Sequence, residues 1–413
     1  MRTVIENGEL FDAVTPGTRP ATVVVEDDRI ADVLDGHRAV PADHRIDAAR
    51  RTVMPGLVNM HAHLSFMYAV GHPREFVLRP DHELYAHAFR MSRVLLALGI
   101  TRVRDMGGPR NVHLHVRDLI RDGVVVGPHV TACGEPLVAT GRHAYPICQE
   151  ADGVDGVVAA VRNQFKQGAD FIKLMASDDP VPADEHGVAT RPGYSAREVA
   201  AAYDEVRRHG AMAACHVMGE EAIRAVLDAG ADVIDHGHYL TPELARRMAA
   251  DGTYLTPTLS SYDVQTAHPR FCRGAEWAAE HAPLLDGHRS AMRAALDAGV
   301  RILVGTDTVG CFAEEVALLR EAGMSAHDTL LAATRWACDA LGVSEEVGTV
   351  EIGKRADLAL VGAGVLDDPY ALEDTAGVLV GGVHHSTASL ISTEASVQPD
   401  LWSLSRSPRP QSA

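Results

Sequence analysis

Eight short apolar segments recur between residues 57 and 307, and amphipathic stretches fill most of the gaps between them. They are Leu57–His63, Ile100–Asp105, Val124–Cys133, Phe171–Met175, Met212–Val217, Asp232–His236, Thr253–Thr258 and Arg301–Asp307. Helical periodicity marks Val157–Gln167, Ala196–Arg208 and Glu220–Leu227, each followed within a few residues by a glycine suited to a helix end. Strands alternating with helices imply a parallel sheet covered by helices, and eight repeats predict an α/β chain folded as a (β/α)8 TIM barrel over 56–345. An open doubly wound sheet is the alternative. No G-x-G-x-x-G follows the first segment to support it.

Outside this region the texture changes. Residues 1–55 and 346–390 carry short strand patterns separated by Gly, Pro and Asp turns, and neither piece is long enough to bury a core alone. They are expected to pair as one small β-sandwich domain formed by both termini. Residues 391–413 end in a Ser-, Pro- and Arg-rich run and are expected to be a poorly ordered tail. A net charge of −18 argues against a nucleic-acid or anionic-membrane surface. No apolar run is long enough for a bilayer, the first residues lack a signal-peptide core, and the six cysteines form no C-x-x-C pair. A cytoplasmic protein with a small-molecule substrate is the expectation.

A TIM barrel places chemistry at the C-terminal ends of its strands. His61 and His63, two residues apart on one strand, point to one face and make half of a site for a metal such as zinc. Alone, such a pair also occurs on solvated strands, and this chain has 22 histidines. Further ligand types do recur at strand ends: His216, His236 and Asp307. Lys173 stands inside the apolar run Phe171-Ile-Lys-Leu-Met175, where an unpaired ammonium is costly. Either a neighbouring carboxylate pairs with it, or its neutral amine takes up carbon dioxide to give a carbamate.

Pro55-Gly-Leu-Val-Asn-Met-His-Ala-His-Leu64, Gly99-Ile-Thr-Arg-Val-Arg-Asp105, Gly168-Ala-Asp-Phe-Ile-Lys-Leu-Met175, Ile234-Asp-His-Gly237, Gly305-Thr-Asp307 and Gly353-Lys-Arg-Ala-Asp-Leu358 together resemble the amidohydrolase superfamily, nearly end to end. The strand-four segment looks closest to a prolidase-like, imidazolonepropionase-related branch. The resemblance implies two divalent ions, zinc the first choice. The more buried would be held by His61, His63 and Asp307, the more exposed by His216 and His236, with carboxylated Lys173 bridging both. It implies hydrolysis of an amide bond in a dipeptide or N-acyl amino acid, with Asp307 as general base and then acid, in an enzyme that is commonly a homo-oligomer. The alternatives are a mononuclear deaminase or a cyclic amide, carbamate or lactone hydrolase of the same fold, and beyond these a non-catalytic scaffold.

Other candidates lie on loops. In Thr140-Gly-Arg-His-Ala-Tyr-Pro146, His143 matches a histidine that contacts the substrate carbonyl in such relatives, and Arg142 or Tyr145 would grip a carboxylate. The segment departs from the commoner Gly-Gly-His-Gly pattern. His238 either lines the pocket or orients its neighbour. Residues 65–87, with Met67, Tyr68, His72, Arg74 and Arg79, are long enough for a lid. Asp178 and Asp179 read as a solvated acidic pair.

Overall fold

The computed structural model describes residues 1–68, 73–179, 181–184, 187–267, 275–391 and 400–407. Parallel strands Leu57–Ala62, Ile100–Asp105 and His129–Ala132 form one ladder. Ile172–Met175, Ala213–Val217, Val233–His236 and Tyr254–Thr256 form a second, edged by the short strands Leu137–Val138 and Gln149–Glu150. The amide of Asp170 donates to Ala132 O at 2.8 Å, linking the two.

The expected third strand shortens to four residues, because Gly127-Pro128 breaks it and Val124 stays 70% exposed. The expected eighth bridges both neighbours, Leu255 to Ile302 on one side and Ala62 to Asp307 on the other, with Leu303 N donating to Leu255 O and Met60 N to Val304 O, both at 2.8 Å. Its backbone crowds both neighbours: a Cβ on Gly305 would stand 2.8 Å from His61 Cβ and 2.4 Å from Thr256 Cγ2. Only glycine permits that approach.

Helices cover the ladders. Ala196–Arg208 shows why: Val199, Ala202, Tyr203 and Val206 repeat at helical spacing and are all buried, while Ser195 and Glu198 close a capping box at its start. Asp81–Ala97, which begins inside the expected lid and runs past it, is also helix, and its His87 is buried with Nε2 against Met67 O at 2.7 Å. Phe66, Met67 and Tyr68 are buried too. His72 and the side chain of Arg74 lie outside the described residues. Arg79 is half exposed beside Glu83.

The termini share one sheet. Thr52–Pro55 pairs with Leu358–Val361, Leu360 opposite Val53, in one eight-stranded sheet rather than two separate sheets, seven strands in a row with His44–Asp47 paired beside Arg2–Leu10. Residues 377–386 make two strands, because Gly381 and Gly382, both with positive φ, turn the chain between Val380 and Val383. The expected disordered tail is corrected at 400–407. Leu401 and Leu404 are 3% and 1% exposed on a short helix, Asp400–Leu404, and join the main core, so apolar burial fixes this part despite its polar composition.

Candidate active site

Strand alternation and close packing bring four imidazoles to one rim. Ring centroids of His61 lie 5.4 Å from His63 and 5.0 Å from His236, and those of His236 and His216 lie 4.5 Å apart. All four are 6% exposed or less. Asp307 reaches in from residues 302–307: its Oδ1 is 3.3 Å from His63 Nε2 and 3.7 Å from His61 Nε2. One donor atom from each of His61, His63 and Asp307 lies within 4.8 Å of the others.

The far nitrogens explain how these rings are held. His61 Nδ1 lies 3.0 Å from Asp235 Oδ1, His63 Nδ1 2.7 Å from Gly107 O, and His236 Nδ1 2.8 Å from Thr258 Oγ1. Each partner fixes one nitrogen and leaves Nε2 for the rim, the arrangement that suits a metal-binding histidine. Asp105 supports the turn carrying Gly107, accepting from Gly107 N and Leu64 N, both at 2.9 Å.

Electrostatics favour the ligand forms. Burial, then the Lys173 charge, hold His61 down to about 4, against the opposing pull of Asp235 and Asp307. Burial, then neighbouring positive groups, hold His216 and His236 well below the usual range. Burial would raise the Asp307 carboxyl, but His61, His63 and Lys173 outweigh it and hold it below its usual value. Neutral imidazoles beside a carboxylate make a donor set that fits a divalent cation.

Lys173 is 2% exposed with Nζ 3.8 Å from Asp235 Oδ2. Asp235 is shared, since Arg104, fully buried, donates to its Oδ1 at 2.6 Å and to Met60 O at 2.7 Å. Thus Asp235 ties together the first, second, fourth and sixth strands beneath the rim.

Comparison with known proteins supplies the family. The model of the amidohydrolase family matches residues 52–387. This chain belongs to the amidohydrolase family. It is therefore a hydrolase of carbon–nitrogen bonds in amides, from a family that generally depends on metal. Ochratoxinase of Aspergillus niger is 27% identical, covering 91% of this chain and 84% of that protein. Imidazolonepropionase of Micrococcus luteus is 28% identical, covering 85% and 88%. Among solved structures, a Xaa-Pro dipeptidase with methionine in its active site superposes with TM-score 0.83 at 26% identity, covering 94% of this chain and all of that one.

The loop candidates of this amidohydrolase divide. His143 stacks on His216 with centroids 4.5 Å apart, so it reaches the cluster. Arg142 is already engaged by Asp178 Oδ2 at 2.7 Å, and Tyr145 stays 45% exposed in the turn Tyr145–Ile147, made by Pro146. His238 turns away to stack on His288 at 3.7 Å, both rings buried, with Tyr262 edge-on at 4.6 Å. Asp178 and Asp179, expected to be solvated, also face the loop carrying His143, Asp179 while staying 51% exposed.

Sequence reading missed Arg104, Asp235, Thr258 and Asp179. Asp235 carried a signal, a charge following the apolar Val233 and Ile234, whereas Arg104 does not stand out in Ile100-Thr-Arg-Val-Arg-Asp105. Thr258 and Asp179 carried none, because their roles come from loop shape.

Proposed function

We propose a binuclear amidohydrolase that cleaves dipeptides or N-acyl amino acids. One ion would be held by His61, His63 and Asp307, and the other by His216 and His236, with carboxylated Lys173 between them. The observation that carries this reading is the meeting of His61, His63 and Asp307 with two further imidazoles at 5.0 and 4.5 Å centroid spacing above a buried lysine. Divalent ions bound there supply Lewis-acid polarisation and a hydroxide at neutral pH. Asp307, held as carboxylate, accepts the proton of the attacking water and returns it to the leaving nitrogen. His143 binds the substrate carbonyl, and Arg142 engages a substrate carboxylate only by exchanging Asp178 for it. The two parallel ladders and residues 302–307 read as one closed eight-stranded barrel, with the terminal sheet a domain of its own, and the unpaired described cysteines suit a cytoplasmic enzyme.

A second reading is one ion per chain, as in a deaminase or cyclic amide hydrolase. The 3.8 Å contact of Lys173 with Asp235 favours it, since an ammonium held there would not bridge. Metal analysis of protein purified without chelator, beside a screen of dipeptides, N-acyl amino acids and aminated heterocycles, separates the two. Two equivalents with amine or amino-acid release support the first reading. One equivalent with ammonia release supports the second.

A further inference from the structure

Among the four clustered histidines, His216 alone lacks an anchor. Its Nε2 is buried without a hydrogen-bond partner, whereas His61, His63 and His236 each have one nitrogen tied down. The group facing that nitrogen is Asp179, whose Oδ1 is 3.4 Å away, just beyond a formed hydrogen bond. Its other oxygen, Oδ2, lies 3.3 Å from His143 Nδ1. The two rings stack at 18° to each other, so one carboxylate spans both edges.

The neighbouring residue keeps Asp179 there. Asp178 accepts the Arg142 guanidinium at 2.7 Å and the amide of His143 at 3.2 Å. The loop after the third strand is thereby clamped to the loop after the fourth. The Asp178 carboxylate holds a guanidinium and a backbone amide of that loop, and Asp179 is left facing two imidazoles.

We propose that Asp179 is a positioning residue that orients His216 and His143 together. Donating Nε2–H to Asp179 leaves His216 Nδ1 for the exposed cation, and donating Nδ1–H fixes the His143 ring over the same position. This rests on the proposed binuclear reading. It makes the exposed ion depend on a carboxylate about half exposed at the loop surface. Loss of such an outer partner typically weakens metal binding by about 10- to 100-fold.

The experiment compares the full chain with Asp179→Ala, Asp179→Asn and His216→Gln, each loaded with zinc. Release is followed by chelator competition, and histidine tautomers are read by long-range 1H–15N correlation on the metal-free proteins. Asp179→Ala should release one equivalent at least about tenfold faster and leave the other unchanged, with Asp179→Asn intermediate. In metal-free wild type His216 should be the Nε2–H tautomer, and in Asp179→Ala a mixture. If Asp179→Ala matches wild type while His216→Gln loses an equivalent, the proposal is overturned and the metal reading stands. If His216→Gln also keeps full metal, the binuclear reading fails and takes the proposal with it. A third equivalent in wild type, missing from Asp179→Ala, would make Asp179 a ligand of a separate site and overturn its positioning role.

Discussion

Arg104→Met tests the layer beneath the rim. Arg104 and Asp235 are both 0% exposed and joined at 2.6 Å, so the substitution strands a buried carboxylate. Only His61 Nδ1 at 3.0 Å and Lys173 Nζ at 3.8 Å would remain near its two oxygens. Removing one partner of a buried ion pair costs about 3–5 kcal/mol. At about 2.1 cal/mol/K per residue over 413 residues, the unfolding entropy is about 0.9 kcal/mol/K, giving a Tm loss of about 3–6 °C. The assay is thermal unfolding by circular dichroism at matched metal loading and scan rate. Adding Asp235→Asn removes the stranded charge, so the double variant should be more stable than Arg104→Met alone. A Tm change under about 1 °C, or a double variant no better than the single, refutes the argument.

Lys173→Ala should lose one or both metal equivalents together with amide hydrolysis, and millimolar short carboxylates should restore part of both. Unchanged metal content and rate would remove the bridge. His87 is held down to about 4 by burial against an ordinary 6.5, so the unfolded chain takes its proton first as pH falls. Its contribution to stability is complete above pH 6.5 and is lost as pH falls towards 4, at a slope of at most about 1.4 kcal/mol per unit. Urea midpoints of metal-free protein between pH 7 and 5 should therefore fall less steeply in His87→Asn. Leu404→Ala should cost about 2–4 kcal/mol because the side chain is 1% exposed in the main core, and an unchanged urea midpoint would deny that the terminal helix packs.

The parts of this fold that were legible are those written by periodicity. Ala196–Arg208 is set by its own apolar spacing and falls where the sequence puts it. Lys173 stood out because an ammonium does not belong in an apolar run. The eighth segment lies between the neighbours expected for it, but how closely Gly305 passes His61 and Thr256 is encoded by no local pattern. Residues 400–407 were misjudged because Leu401 and Leu404 sit among polar residues, so composition hid two side chains that the core accepts. Arg142 was assigned to substrate because its partner, Asp178, lies 36 positions away.

What composition and spacing hide most thoroughly is the support of the rim. His236, Thr258 and Asp307, at three adjacent strand ends, have φ of 69°, 56° and 54°, a region that β-branched threonine rarely enters. Such strain persists only where surrounding contacts over-determine it, and here they can be named. Glu315, fully buried, accepts from the amides of Leu259 and Ser260 at 3.0 and 2.6 Å and so pins the turn that presents Thr258 to His236. Asp235, immediately before His236, is gripped by Arg104 from the second strand. The orientation of His236, a ligand only under the proposed reading, therefore depends on an arginine of the second strand and a glutamate that follows the eighth. A substitution at either should loosen metal binding as well as stability, whereas one in the terminal sheet should move stability alone.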